Sequence, residues 1–261
     1  MFSNLFGKKP APVSARKFFP QNRLEALLMQ AANDPSARPD FYKEILTADL
    51  YILILPGDRS DGKFVAQPGE RLSIKGITAE GRRLIPVFTS ELRLREYIKS
   101  QDHLAKLNGQ ALFSMISAQG DGVVLNPASS YGKEFTRDEI SALVSGSMFQ
   151  PQKQVISKDT KVLIGAPKEY PTKTVEAMTG YFQGRPEVKK AYVAWIHAPD
   201  TEEPPHLIFA VEVVGDFNSI ASDLSVIFRE TLGAGQFADL MQLGQGGLDD
   251  YFMNQQPFFQ R

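Results

Sequence analysis

Residues 82–98 read RRLIPVFTSELRLREYI. Leu84-Ile85-Pro86-Val87-Phe88 is a short apolar run, and it leads into a hydroxyl pair, Thr89-Ser90, and then a charged segment. A Ser or Thr at a helix N-cap accepts a hydrogen bond from an unpaired N–H of the first turn. Thr89 or Ser90 is therefore expected to cap a helix. Leu94, Tyr97 and Ile98 then fall on one face at i, i+3, i+4 spacing. The stretch is a strand-to-helix corner with its own punctuation.

Working upstream, residues 22–33 carry Leu24, Leu27, Leu28 and Ala31 at helical spacing, with Pro35 as a stop. A second helix is expected near Pro39, with Phe41, Tyr42, Ile45 and Leu46 facing inward. Residues 50–55 are a continuous apolar run closed by Pro56-Gly57-Asp58, which predicts a buried strand and a turn. An extended piece at residues 63–66, a strand at residues 71–75 and a turn at Ala79-Glu80-Gly81 are expected before the corner.

Downstream, Asn108 is placed to cap a helix bearing Leu112, Phe113 and Ile116, and Val123-Val124-Leu125 reads as a short strand. Thr136 and Glu139 have the spacing of a capping box, followed by the apolar positions Ile140, Leu143 and Val144. Residues 146–159 read as a linker. Beyond them, strands at residues 162–164, 191–196, 207–213 and 237–243 alternate with helices opened by Pro171 and capped by Asp216. That order is βαββαβ, the ferredoxin-like pattern of two helices on one face of a four-stranded antiparallel sheet.

The expected class is therefore α+β in two domains. The first is a mixed α/β domain over residues 21–145, and the second a ferredoxin-like domain over residues 160–261. The length of 261 residues agrees, at about 100–200 residues per domain. Residues 1–20 read as a flexible tail, basic through Lys8, Lys9, Arg16 and Lys17 and interrupted by prolines. Phe2, Leu5 and Phe6 beside Lys8-Lys9 make one amphipathic turn suited to a partner or, weakly, to a membrane surface. Residues 248–261, LDDYFMNQQPFFQR, are expected to dock on the second domain through their aromatics. The sharper alternative is a partner-facing patch at Phe258, Phe259 and Arg261.

Composition narrows the chemistry. The chain has no cysteine, so it supports no disulfide, thiolate zinc site, iron–sulfur cluster or cysteine nucleophile of its own. A net charge of −1 lacks the basic excess of proteins that coat nucleic acid, so no nucleic-acid partner is expected. Arg82, Arg83, Arg93 and Arg95 are interleaved with Glu91 and Glu96, as on a solvated helix face. No run approaches the roughly 20 apolar residues of a membrane span, and the opening residues lack a signal-peptide core. A cytoplasmic location is expected. His103, His197 and His206 show no metal-ligand spacing, although His197, His206 and the intervening Glu202-Glu203 lie at facing strand ends. Gly132-Lys133 fails the phosphate-loop pattern, having Pro127 and Glu134 where Gly and Ser or Thr are needed. No cofactor, metal site or catalytic residue is expected.

The segments 37–46 (ARPDFYKEIL), 84–98, 125–144 (LNPASSYGKEFTRDEISALV) and 255–261 (QQPFFQR) together resemble the bacterial enhanced serine sensitivity protein SseB family. The resemblance runs from about residue 22 onward and spans the family's N-terminal and C-terminal domains. It implies a link to a serine-sensitivity phenotype and carries no catalytic motif. The sulfurtransferase label that travels with the family needs a cysteine, which this chain lacks. The expected function is a non-enzymatic protein-interaction or regulatory module whose partner is another protein. The alternatives are an amino-acid-sensing domain of the ACT type with an amino-acid ligand, and an enzyme with an unrecognised site.

Overall fold

The computed structural model describes residues 18–55, 73–79, 81–98, 103–151, 162–201, 203–233 and 235–261. The expected features at residues 1–17, at Pro56-Gly57-Asp58, at residues 63–66, at Glu202 and over most of the 146–159 linker lie outside the described residues. The chain divides into two compact units, one ending at Met148 and the other running from Phe149 to Arg261.

In the first unit, α1 (Arg23–Asn33) and α2 (Arg38–Thr47) are joined by a 3-10 turn at Pro35–Ala37. There follow β1 (Asp49–Ile54), β2 (Ile77–Ala79), β3 (Arg82–Phe88), α3 (Glu91–Tyr97), β4 (His103–Asn108), α4 (Gly109–Gln119), β5 (Gly122–Leu125), β6 (Lys133–Phe135) and α5 (Arg137–Ser145). The sheet order is β4-β1-β3-β5-β6, with β2 also on β3. β3 and β5 are parallel, and the other pairs are antiparallel. β3 lies at the centre and is buried from Leu84 to Phe88. A strand covered on both faces reads as an unbroken apolar run rather than an alternation, which is the character of LIPVF.

β1 pairs with the end of β3, at Val87 and Phe88, and β2 with its start, at residues 82–84. Pro86 sits at the changeover, where a residue without an N–H is tolerated. Two strands carry little signal of their own. β4 reads HLAKLN and β6 only KEF, and both are strands through pairing with β1 and β5. Of the strand expected at residues 71–75, the described part makes one bridge, Ile74 to Ile54.

The second unit comprises β7 (Leu163–Gly165), α6 (Thr172–Gln183), β8 (Val188–His197), β9 (His206–Val213), α7 (Phe217–Thr231), β10 (Ala238–Gln242), α8 (Asp249–Met253) and β11 (Phe259–Gln260). The element order βαββαβ is present, followed by α8 and β11. The ferredoxin-like arrangement is corrected, however. In the split arrangement a further strand lies between the two parallel strands of each βαβ unit. Here β9 and β10 pair directly and in parallel, so β9-α7-β10 is an unsplit unit. β7 pairs antiparallel with β8 instead of lying between β9 and β10. The sheet is mixed, in the order β10-β9-β8-β11, with β7 also on β8.

One face of this sheet packs Phe209 and Val211 against Met178 and Phe182 of α6 and Ile220, Leu224 and Ile227 of α7. The other packs Tyr192, Ala194, Ile196 and Ile208 beneath Phe252 of α8. α7 opens on Asp216, whose carboxylate accepts the Asn218 and Ser219 N–H groups.

Gly109 starts α4 where it meets α2. A Cβ there would stand 1.8 Å from the Ile45 carbonyl oxygen, whereas one on Gly247 would meet nothing within 4 Å. Gly109→Ala is expected to lower unfolding stability by about 1–3 kcal/mol, the usual range for overpacking. Gly247→Ala should leave the urea midpoint nearly unchanged. Equal midpoints for the two variants would contradict this packing.

Candidate functional site

The corner between β3 and α3 holds the densest polar constellation among the described residues. Ser90 is the N-cap of α3, and its Oγ accepts the Arg93 N–H at 3.3 Å. Thr89 does not cap. It is buried, and its hydroxyl donates to Glu25 Oε1 at 2.8 Å. The Ser90 hydroxyl donates to the same oxygen, also at 2.8 Å. The second carboxylate oxygen accepts from the Gln21 N–H at 2.9 Å and from Arg93 Nη2 at 3.0 Å. Glu25 has no exposed surface and Arg93 only 6%.

Arg93 is saturated. Nη1 donates to Glu96, Nη2 also donates to the Phe19 carbonyl at 2.7 Å, and the Phe18 ring lies 4.1 Å from the guanidinium carbon. A cation over an aromatic face gains from the ring quadrupole, more so when desolvated. Phe18 in turn meets the edge of Tyr131. From the far side, Asn126 accepts the Thr89 N–H at 3.0 Å and donates through Nδ2 to the Thr89 hydroxyl at 2.9 Å. Asn126 has φ of 48°, a left-handed conformation that Asn tolerates better than most residues. Asn22 joins α1 to the corner, since its Nδ2 donates to the Thr89 carbonyl at 2.8 Å.

Burial pushes the Glu25 carboxyl upward, but the Gln21 N–H, the Arg93 guanidinium and the Ser90 and Thr89 hydroxyls outweigh it. The group is held below its ordinary value of 4.5. Its contribution to stability is complete above that value and is lost as the pH falls through the lower folded value.

A second closed cluster lies under α5. Thr136 and Glu139 form a reciprocal capping box. The other Glu139 oxygen takes Lys133 Nζ at 2.8 Å and the Tyr42 hydroxyl at 3.4 Å. The Lys133 side chain is fully buried, with its ammonium 4.9 Å from the Phe135 ring centre. Gly132 is required beside it, because a Cβ would come within 2.6 Å of the Leu125 carbonyl oxygen. In the second unit the Tyr181 hydroxyl donates to Asp223 at 2.7 Å. Burial and the Asp223 charge push that hydroxyl far above its ordinary range, with Arg185 opposing.

The histidines do not assemble. His103 opens β4, while Ile196 pairs with His206, which brings His197 and His206 to adjoining strand ends. His206 engages Asp239 at 2.9 Å and the Pro204 carbonyl at 2.9 Å. Among the described residues no three His, Asp or Glu side chains converge to hold a metal. Asp216 caps α7 far along the chain from both polar clusters. Phe2, Leu5 and Phe6 lie outside the described residues. Phe258 and Phe259 are half-buried against the second unit's helix-covered core, 6.5 and 5.2 Å from the Phe182 ring. Arg261 Nη2 donates to the Phe182 and Gln183 carbonyls at 3.0 and 2.8 Å, at the end of α6.

The sequence reading missed Glu25, Asn126 and Lys133. Glu25 stands one turn before Leu28, beside the apolar stripe of α1, which is the signal that was there to use. Removing one partner of a buried pair typically costs about 3–5 kcal/mol. Glu25→Ala is expected to destabilise the protein by about that amount, as read from urea unfolding. Glu25→Gln should flatten the loss of stability below pH 4.5. Acid unfolding of Glu25→Gln identical in shape to wild type would contradict the network.

Comparison with known proteins assigns the chain to a family. The SseB protein N-terminal domain matches residues 24–142, and the SseB protein C-terminal domain matches residues 156–261. Protein SseB of Escherichia coli (strain K12) is 26% identical over 246 residues, covering 92% of this chain and 93% of that protein. Protein SseB of Shigella flexneri matches to the same extent. The first domain match holds the Glu25–Arg93 pair and the Lys133–Glu139 pair, and the second holds the sheet that carries Phe258 and Phe259. This chain belongs to the SseB family.

Proposed function

We propose that this protein is a non-catalytic module of the cytoplasm that acts by binding another protein. The observation that carries the reading is the end of the second unit. There two phenylalanines are held half-buried on a sheet edge, with the exposed Arg261 following them. Aromatic and arginine side chains are the usual anchors of protein interfaces. The ionisable groups of the first unit support the same reading from the other side. Glu25, Arg93, Lys133 and Glu139 spend their charges on one another and hold the fold. The family's association with serine sensitivity fits a regulatory role.

Affinity capture from native cells with full-length protein is expected to retain a specific partner. The Phe258→Ala/Phe259→Ala variant should lose it while remaining folded by circular dichroism. No specific partner with either protein would count against the reading.

One observation favours a small ligand as a second reading. A cavity of about 110 Å³ lies between α7 and β10, lined by Ser225, Phe228, Arg229, Gln236, Phe237 and Leu240. Its Phe237 wall is braced by His206, ring centre to ring centre 4.4 Å. The ACT-type analogy rested on the βαββαβ element order and the serine phenotype, and the sheet order here differs from the ferredoxin-like one. The cavity stands independently of it. A ligand at a hundred times its dissociation constant stabilises a fold by about 2.7 kcal/mol. Excess serine is therefore expected to raise the melting temperature in this reading, and Phe237→Ala to abolish the rise. No shift with serine or related amino acids would remove it.

A further inference from the structure

We infer that the slot along β8 is also filled in trans, by residues 257–261 of a second copy of the chain. The inference rests on the interaction reading above and names its partner. The slot is built as follows. β8 presents one edge to β9 and its other edge to two separate short strands. β7 covers residues 195–197 of that edge, and β11 covers Lys190 and Ala191. The Phe258 N–H donates to the Ala191 carbonyl and the Arg261 N–H to the Lys189 carbonyl, each at 2.9 Å. Phe258 stands edge-on to Phe209, and Arg261 closes the end of α6.

This is strand addition with side-chain anchors, the recognition mode by which sheet edges take up extended peptides. The strand is tied to the rest of its own chain by Asn254, Gln255 and Gln256, all exposed. Departure of so short a strand uncovers the β8 edge at residues 189–191 together with the Phe182 and Phe209 rings. A bare edge is a template for pairing with another chain. The sequence shown to fit is the one present here, and every copy carries it. Exchange between two copies remakes the same contacts around a two-fold axis and changes only the path of the connection. The tethered strand competes at an effective concentration on the order of millimolar, so exchange grows with protein concentration.

The chain has no cysteine, which makes disulfide trapping clean. Lys190 and Gln260 are direct partners in the ladder, within the spacing a disulfide spans. Full-length Lys190→Cys and Gln260→Cys variants are mixed and oxidised. A heterodimer joined through positions 190 and 260 is expected, its yield rising with concentration and falling when the peptide QQPFFQR is added. A Gln255→Cys chain in place of Gln260→Cys should give much less. The double variant in one chain should close its bond internally, and failure to do so would overturn the register on which the slot stands. Closure there without any heterodimer up to about 1 mM would overturn exchange. In that case, loss of partner capture by Phe258→Ala/Phe259→Ala would leave the interaction reading standing with a different protein in the slot.

Discussion

A single buried carboxylate organises the first unit. An ionised Glu in a closed interior is costly unless its lone pairs are filled, and each oxygen of Glu25 is filled from a different part of the chain. One takes the two hydroxyls of the β3–α3 corner, and the other takes the Gln21 N–H and the Arg93 guanidinium. Glu25 and Arg93 stand 68 positions apart. Helix α1 is thus fixed against the centre of the sheet by directional bonds as well as by apolar packing. Buried pairs of this kind add little net stability compared with well-packed apolar residues, but they penalise any arrangement that separates the partners. The placement of Phe18 and Phe19 follows from the same pair, because Arg93 reaches the backbone of one and lies against the ring of the other.

What was legible in the sequence was what is local. Ser90, Asn108, Asp216 and the Thr136–Glu139 box act on backbone groups two or three residues away, so their spacing announces them. The apolar run at Leu84–Phe88 reads as a strand because both of its faces are covered. Thr89 was legible as a hydroxyl at a helix start but not as a partner of Glu25, 64 positions earlier, or of Asn126, 37 positions later. β4 and β6 were missed because HLAKLN and KEF have weak alternation, and their strand state comes from their neighbours. Lys133 was nearer to hand, since Glu139 is only six positions away. A lysine between a glycine and a glutamate is ordinarily read as solvated, and only the fold shows it enclosed by Tyr42, Phe135 and Glu139.

The second unit shows a different limit. Its sequence of strands and helices was readable, but the order of its strands in space was not. A split and an unsplit βαβ unit bury the same alternating residues against the same helices. They differ in which edge the last strand takes, and hydrophobic pattern is silent on that. In this protein β10 goes directly beside β9, which leaves the far edge of β8 to be covered in two pieces. The chain's aromatic ending thereby acquires a place in the fold. Its phenylalanines finish a core, and its arginine finishes a helix.

The Arg261 side chain reaches carbonyls 79 and 78 positions upstream. A ribosome adds about 5–20 residues per second, so α6 waits on the order of 4–16 s between its own synthesis and the arrival of the group that closes its end. Once β8 and β9 have been made within that interval, the nascent chain carries a sheet with one unfinished margin. Assembly of the second unit is therefore paced by translation itself, and conditions that slow elongation lengthen the time during which the β8 edge at residues 189–191 stands open to whatever chain is nearby.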